Sequence, residues 1–233
     1  MKEYVPLRSD EIDCRVGTAT QTGVSLLLYK NARVDMTKMD DMFGPLNWSR
    51  KHDVVNGNLF CTVAVRGEDG IWVSKQDVGV ESYTEKEKGE ASDAFKRACV
   101  NWGIGRELYS APFVWVNLNA DEWRQGAGGK KQPAVRFKVS EIEYEQTGDA
   151  YNAYKISYLV IVDGKGNERY RFGQSQARER SLQKAIDEAK ACDTIEALTT
   201  VWNKYAKKGC MFHGDARFTA AVTELGTKMR DAS

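Results

Sequence analysis

DVGVESYTEKEKGEASDAFKRACVNWGIGRELY, residues 77–109, decides how this chain folds. A strand end closes on Gly79, a charged segment follows, and the glycine pair Gly103 and Gly105 stops it. Thr84 and Glu87 have the S/T-x-x-E spacing of a capping box, in which hydroxyl and carboxylate satisfy orphan backbone donors reciprocally. From there Ala91, Ala94, Phe95, Ala98 and Trp102 recur at helical spacing, which predicts one apolar stripe laid against a packed surface. Lys96 and Arg97 fall outside that stripe, on opposite flanks of the polar face at roughly 100° per residue. Such a helix backs a sheet with one side and offers two fixed cations with the rest.

Upstream, Trp48 to Val55, Leu59 to Arg66 and Ile71 to Val80 read as a three-stranded meander, turned at Asn56-Gly57 and at Gly67 to Gly70. Asn-Gly between alternating runs is the strongest short-range hairpin signal. Phe60-Thr62-Ala64 alternating with Leu59-Cys61-Val63-Val65 suits a sheet with one face covered, and the helix from Thr84 is the natural cover. The expected unit is β-β-β-α within an α+β fold, and its two open edges invite strand pairing between subunits. Before it, Val24 to Tyr29 is a compact apolar run, and Asn31 to Met42 reads as a short helix with Val34, Met39 and Met42 inward. Residues 1–23 carry only scattered apolar anchors (Tyr4, Val5, Leu7, Ile12, Val16) and fit an arm or a short strand equally.

Downstream, Pro112 to Leu118, Ala134 to Glu145, Tyr151 to Val162 and Glu168 to Phe172 read as further strands of the same domain. The glycine- and lysine-rich run Gly126 to Lys131 reads as a mobile surface loop. After Gly173 helix formers take over: Ser175 to Ala191, Asp193 to Tyr205 and Asp215 to Met229. Asp193 and Glu196 repeat the capping-box spacing, Ile195, Leu198, Val201 and Trp202 form an inward stripe, and Lys207-Lys208-Gly209 breaks the second helix. The expected division is a core of residues 1–173 and a helical module of residues 174–233.

With 233 residues there is room for one sizeable core and a small appendage. Basic and acidic residues nearly cancel, 34 against 33, so net charge alone does not mark a nucleic-acid binder; local placement has to do that. Five cysteines at irregular spacing fit reduced thiols and a cytoplasmic protein. No stretch approaches 18 apolar residues, so no membrane is expected. Enzyme signatures are missing as well. Gly126 to Lys131 lacks the spacing and hydroxyl of a phosphate-binding loop. Cys210 and His213 lack a second pair at a metal-ligand interval. His52 reads as a strand residue facing water, and the acidic pairs Asp40-Asp41 and Glu85/Glu87/Glu90 have lysines interleaved, as on a solvated face. No catalytic residue, metal or cofactor is expected.

The run DVG, a spacer, then KGEASDAFKRACVNWGIG resembles the DVG…EKA-K-EA-TDGLKRAL-FG signature of the Rad52 family of single-strand DNA annealing proteins. MFGPLNW (residues 42–48) resembles that family's MFG-x-NGW element, and the turn Glu68-Asp69-Gly70 its KDG turn, all in the right order over residues 24–109. The resemblance implies that Lys96 and Arg97 contact DNA phosphates in an inner groove. It also implies an arginine before the first helix serving that groove; Arg33, in KNARVD, is the nearest match, its interval to MFG differing by one residue. Two departures stand out. Val100 occupies the place of a further arginine, and Glu68 that of a lysine used for an outer, duplex-binding site. Either the outer site is absent, or Lys75, Arg66, Arg50 and Lys51 replace it; ordinary exposed strand positions explain these four equally well. Trp48 and Trp72 suit base stacking, or more simply a core or subunit interface.

What the resemblance implies is an ATP-independent, non-catalytic protein of phage or bacterial type, acting in the cytoplasm of a bacterial host in homologous recombination and repair. It would bind single-stranded DNA, with duplex DNA a second candidate, as a homo-oligomeric ring or helical filament. Many copies along one strand would compensate for few cations per copy. Two rival readings are a single-strand binding protein that protects without pairing, and a structural oligomeric adaptor. The helical module is a candidate for recruiting the host single-strand binding protein or a nuclease.

Overall fold

The computed structural model describes residues 2–80, 86–126 and 131–231, with Lys86 and Glu87 described by backbone alone. It is a mixed α and β protein with mostly antiparallel sheets and, among the described residues, five α-helices. In chain order these are β1 (Asp13–Ala19), β2 (Gly23–Tyr29), α1 (Ala32–Phe43), β3 (Trp48–Val55), β4 (Asn58–Arg66), β5 (Trp72–Val78), α2 (Lys86–Asn101), β6 (Val114–Asn117), β7 (Trp123–Gln125), β8 (Lys131–Pro133), β9 (Phe137–Gln146), β10 (Tyr154–Asp163), β11 (Glu168–Gly173), α3 (Gln176–Lys190), α4 (Ile195–Tyr205) and α5 (Ala216–Asp231). Two compact units result, residues 1–173 and 174–233.

The first unit holds two main sheets. Strands β3-β4-β5 form an antiparallel sheet around the Asn56-Gly57 turn, whose φ values of 51° and 79° are those a two-residue hairpin demands. Alternation along β4 sends Cys61, Val63 and Val65 under α2, where they meet Ala94, Phe95, Ala98 and Cys99, with Met39 and Met42 of α1 completing the core. Ala91 and Trp102, the ends of the expected stripe, are only partly buried. Small side chains on this helix face let its backbone come close to the sheet. Gly79 makes that possible: a Cβ there would stand 2.4 Å from the Glu90 carbonyl oxygen and 3.1 Å from the Ala94 Cβ. The Thr84–Glu87 capping box lies outside the residues whose side chains are described.

Val24 to Tyr29 forms β2, in a second sheet of order β11-β10-β9-β1-β2-β6 that also takes in the downstream strands. Its third-last member, β1, is a strand of polar sequence that hydrophobic alternation could not reveal; it pairs along β2 and touches β9 at Asp13 opposite Lys138. The sheet curls until its edges meet through side chains. Arg169 of β11 donates to the Asn117 carbonyl of β6 (2.8 Å) and to Glu122 (2.9 Å), and the Tyr170 hydroxyl donates to the Phe113 carbonyl (3.3 Å). Leu7, Val24, Leu26, Val114, Val116, Val139, Ile156 and Ile161 fill the inside.

Helix α1 joins the two cores, and it does so partly with charge. Val34 packs against the six-stranded sheet's core, Met39 and Met42 against the other, while Asp35 and Lys38 are buried between. Lys38 pairs with Glu11 (3.0 Å) and donates to the Val5 carbonyl (3.2 Å), tying down the N-terminal arm. Lys30, at the end of β2, donates to Asp35 and to the Lys96 carbonyl of α2 (3.3 Å). Burial pushes the Asp35 carboxyl up to about 6, against the opposing pull of Lys30.

The second unit is a three-helix module with its own core of Leu182, Ala185, Ala189, Leu198, Val201, Phe212, Phe218 and Val222. Its second helix is capped by Thr194, whose hydroxyl accepts from the Ala197 N–H (3.2 Å), rather than by Asp193 as the sequence pattern suggested. Ile195 is exposed instead of inward, because it is the first residue after that cap.

Two measurements check this packing. Gly79→Ala should lower stability by about 1–3 kcal/mol through overpacking of α2 on β5, read as a fall in the thermal midpoint; an unchanged midpoint refutes the close approach. Lys30→Met leaves a buried carboxylate unpaired and should cost about 3–5 kcal/mol, most of it recovered in Lys30→Met/Asp35→Leu. A single variant as stable as the wild type to denaturant would contradict the pair's role.

Candidate nucleic-acid interface

Lys96 and Arg97 sit in mid-α2, one residue beyond the buried Phe95 and just before the buried Ala98 and Cys99, so the packed face fixes where both cations project. They line one cavity of about 280 Å³ together with Tyr29, Lys30, Asp93, Val100 and Tyr109. Lys96 is 26% exposed and lies 3.7 Å from Asp93; Arg97 is 45% exposed and donates through Nε to Asp77 at 3.2 Å. Its two terminal nitrogens make no hydrogen bond among the described residues. Lys30, buried at the edge of this cavity, is committed to Asp35. Each cation therefore has a carboxylate beside it. Partly exposed pairs of this kind are worth about 0–1 kcal/mol, so a phosphate can share or displace them at little cost. Val100 presents an apolar wall where the resemblance implies an arginine.

The remaining candidates do not gather there. Arg33 is exposed on the first turn of α1, its backbone N–H held by the Asn31 cap at 2.9 Å, and it is not among the residues lining the cavity. The four strand cations divide between the two faces of the β3-β4-β5 sheet. Arg50 and Lys75 both stand opposite Val63 on the face under α2: Arg50 lies 4.6 Å over the Phe95 ring, and Lys75 lies 4.4 Å over Trp102. Lys75 also donates to the Asn101 carbonyl (2.8 Å), as Arg106 does (2.9 Å), so both satisfy the orphan acceptors and negative dipole end where α2 stops. Lys51 and Arg66 stand on the open face, Lys51 opposite Thr62 and paired with Asp53 (2.7 Å), Arg66 opposite Trp72. Trp48 stacks on Phe95 with ring centroids 6.0 Å apart and donates to Asp40 (2.7 Å), a packing role; Trp72 is half exposed.

The reading of His52 changes. His52 faces α2 rather than water: its Nε2 lies 3.0 Å from the Ala91 carbonyl, an acceptor, and so carries the proton. Cys210 and His213 each bond a backbone carbonyl, of Asn203 (3.7 Å) and Ala206 (2.9 Å), and among the described residues no three His, Cys, Asp or Glu side chains gather to hold a metal ion. Most of the Gly126 to Lys131 segment lies outside the described residues; Lys131 opens β8. No helix among the described residues is long and apolar enough to cross a membrane.

Sequence reasoning passed over Lys30, Asp35, Asp77, Asp93 and Tyr109. Lys30 carried a faint signal, a lysine closing an apolar strand five residues before an aspartate in the next helix; Tyr109 ended the deciding stretch but followed the glycines that stop its helix.

The DdrA protein of Deinococcus radiodurans, named a single-stranded DNA-binding protein, is 36% identical over 110 residues, 46% of this chain and 51% of the relative. The protein of the same name from Deinococcus deserti is 36% identical over 104 residues, 44% and 51% of the two chains. The chain thus spans about half the length of the curated relatives it matches. A family model described as Rad52/22 family double-strand break repair protein matches residues 5–127, from the N-terminal arm through the β3-β4-β5 sheet and α2 to β7, with β1, β2 and β6 of the six-stranded sheet. Because that match covers more than half of the 233 residues, the chain belongs to the Rad52/22 family of double-strand break repair proteins.

Proposed function

We propose that this protein binds single-stranded DNA through Lys96 and Arg97 and promotes annealing of complementary strands in recombinational repair, without ATP and without bond-breaking chemistry. The observation that carries the proposal is the pair of cations on a helix whose other face is locked into a core, both lining one cavity. Annealing asks for no more than phosphates held by fixed charges and base edges left free while a partner strand samples register. Base pairing supplies the sequence specificity.

Assembly completes the argument. Neighbouring carboxylates leave each copy only weakly attractive to phosphate, and a homo-oligomeric ring or filament would multiply weak contacts along one strand. The free edges of β3 and β5 suit strand pairing between copies. Arg33 is a further candidate for the same groove, while Lys51 and Arg66 are the cations of the open face that suit a second, duplex-binding surface. Arg50 and Lys75 are occupied by aromatic packing and helix capping, which favours the four strand cations not acting as a single patch. The three-helix module is proposed as a docking element for a repair partner. A second reading, protection of single strands without pairing them, is favoured by the name of the DdrA relatives. Acceleration of renaturation of complementary oligonucleotides separates the two.

Lys96→Ala/Arg97→Ala should weaken binding of an oligothymidylate at moderate salt and reduce the salt slope of log K by about 1.4 per copy, two phosphate contacts at ~0.7 each. The thermal midpoint and the oligomeric state should not change. A double variant that binds and anneals normally assigns the site wrongly.

A further inference from the structure

Beside the two cations, the cavity holds a feature that phosphate contact does not use. Tyr109 lines it and is 77% exposed, a large aromatic surface left in water. It sits in the short helical turn Arg106–Ser110, whose other residues are tied down on both sides. Arg106, three residues earlier, donates to the carbonyls of Val100 (2.8 Å), Asn101 (2.9 Å) and Tyr151 (2.7 Å). Glu107, buried, accepts from the Tyr4 hydroxyl (2.7 Å) and the Leu7 N–H (2.9 Å). Ser110 donates to the Glu107 carbonyl (2.6 Å) and accepts from the Ile156 N–H (2.9 Å). An exposed ring on a fixed mount loses only two side-chain torsions when it is covered, which is what an aromatic contact platform requires. Tyr29 and the apolar Leu28, Val100 and Leu108 line the same cavity, so its walls are aromatic and aliphatic wherever they are not charged.

We propose that Tyr109 is a base-stacking subsite: a nucleobase of the strand whose phosphates lie on Lys96 and Arg97 packs its face on the Tyr109 ring. The inference rests on the DNA-binding function proposed for those cations and adds to it what the cavity does with the base. Stacking engages the π-face, which every base has, and leaves the pairing edge outward. It therefore tolerates any sequence, as phosphate contact does, and in addition holds a base in place with its pairing edge toward a complementary strand.

The full-length protein is titrated, by fluorescence anisotropy at fixed salt, with an oligothymidylate and with an oligonucleotide of equal length carrying abasic sites. Stacking is worth about 1–3 kcal/mol per base, so the wild type should prefer the base-bearing strand by about fivefold or more. Tyr109→Ala should lose most of that preference while binding the abasic strand as the wild type does. Tyr109→Phe should keep it, since the ring and not the hydroxyl is required. Lys96→Ala/Arg97→Ala should weaken binding to both strands alike. A thermal midpoint equal to wild type verifies that Tyr109→Ala is folded, as its exposure implies. The subsite is overturned if the wild type does not distinguish the two strands, or if Tyr109→Ala retains the wild-type preference. Failure of the wild type to bind either strand overturns the DNA-binding function itself.

Discussion

A lysine and an aspartate out of reach of water hold the first unit's geometry together. Lys30 ends a strand of one sheet, Asp35 belongs to the helix linking that sheet to the other, and the same ammonium reaches the Lys96 carbonyl in α2. Three elements thus share one charged knot. Desolvating two ions is expensive and is compensated only when geometry and further hydrogen bonds are good. In return the knot fixes register: α2 cannot slide along its sheet without leaving Lys30 behind. Gly105 accommodates it, since a Cβ at that position would stand 2.3 Å from the Lys30 Cε. The backbone that carries Lys96 is itself an acceptor in the knot.

From this follows the character of the cavity. Lys96 beside Asp93 and Arg97 beside Asp77 form a surface that is polar and ordered without being strongly positive, in keeping with a chain whose charges almost cancel. Under the proposed annealing function, a site built this way would hold a phosphate without clamping it, which would let a strand be inspected. Under the proposed function, strength would come from repetition along the polymer, and further strand contact from the Tyr109 ring, whose face would accept any base.

Much of this was legible in residues 77–109 and in the alternation before them. The Asn56-Gly57 hairpin, the buried face of β4 and the stripe of α2 follow from periods of two and 3.6, because those elements bury one side and wet the other. Where the rule of apolar-inside fails, so does the sequence. Strand β1 is polar and exists because it pairs with β2; Asp35 and Lys38 are buried because they find partners distant in the chain. The roles of Arg50 and Lys75 were equally hidden, since a cation over an aromatic ring and a cation in water look alike in a one-dimensional pattern. Thr194 took the cap expected of Asp193, because it is the Thr194 hydroxyl that reaches the Ala197 N–H.

An electron cryo-microscopy map of the protein bound to an oligothymidylate tests the central claim most directly. The account predicts a continuous polynucleotide crossing the cavity on α2, with phosphates at Lys96 and Arg97. A strand bound elsewhere, with these two side chains enclosed in a protein–protein seam, would contradict it.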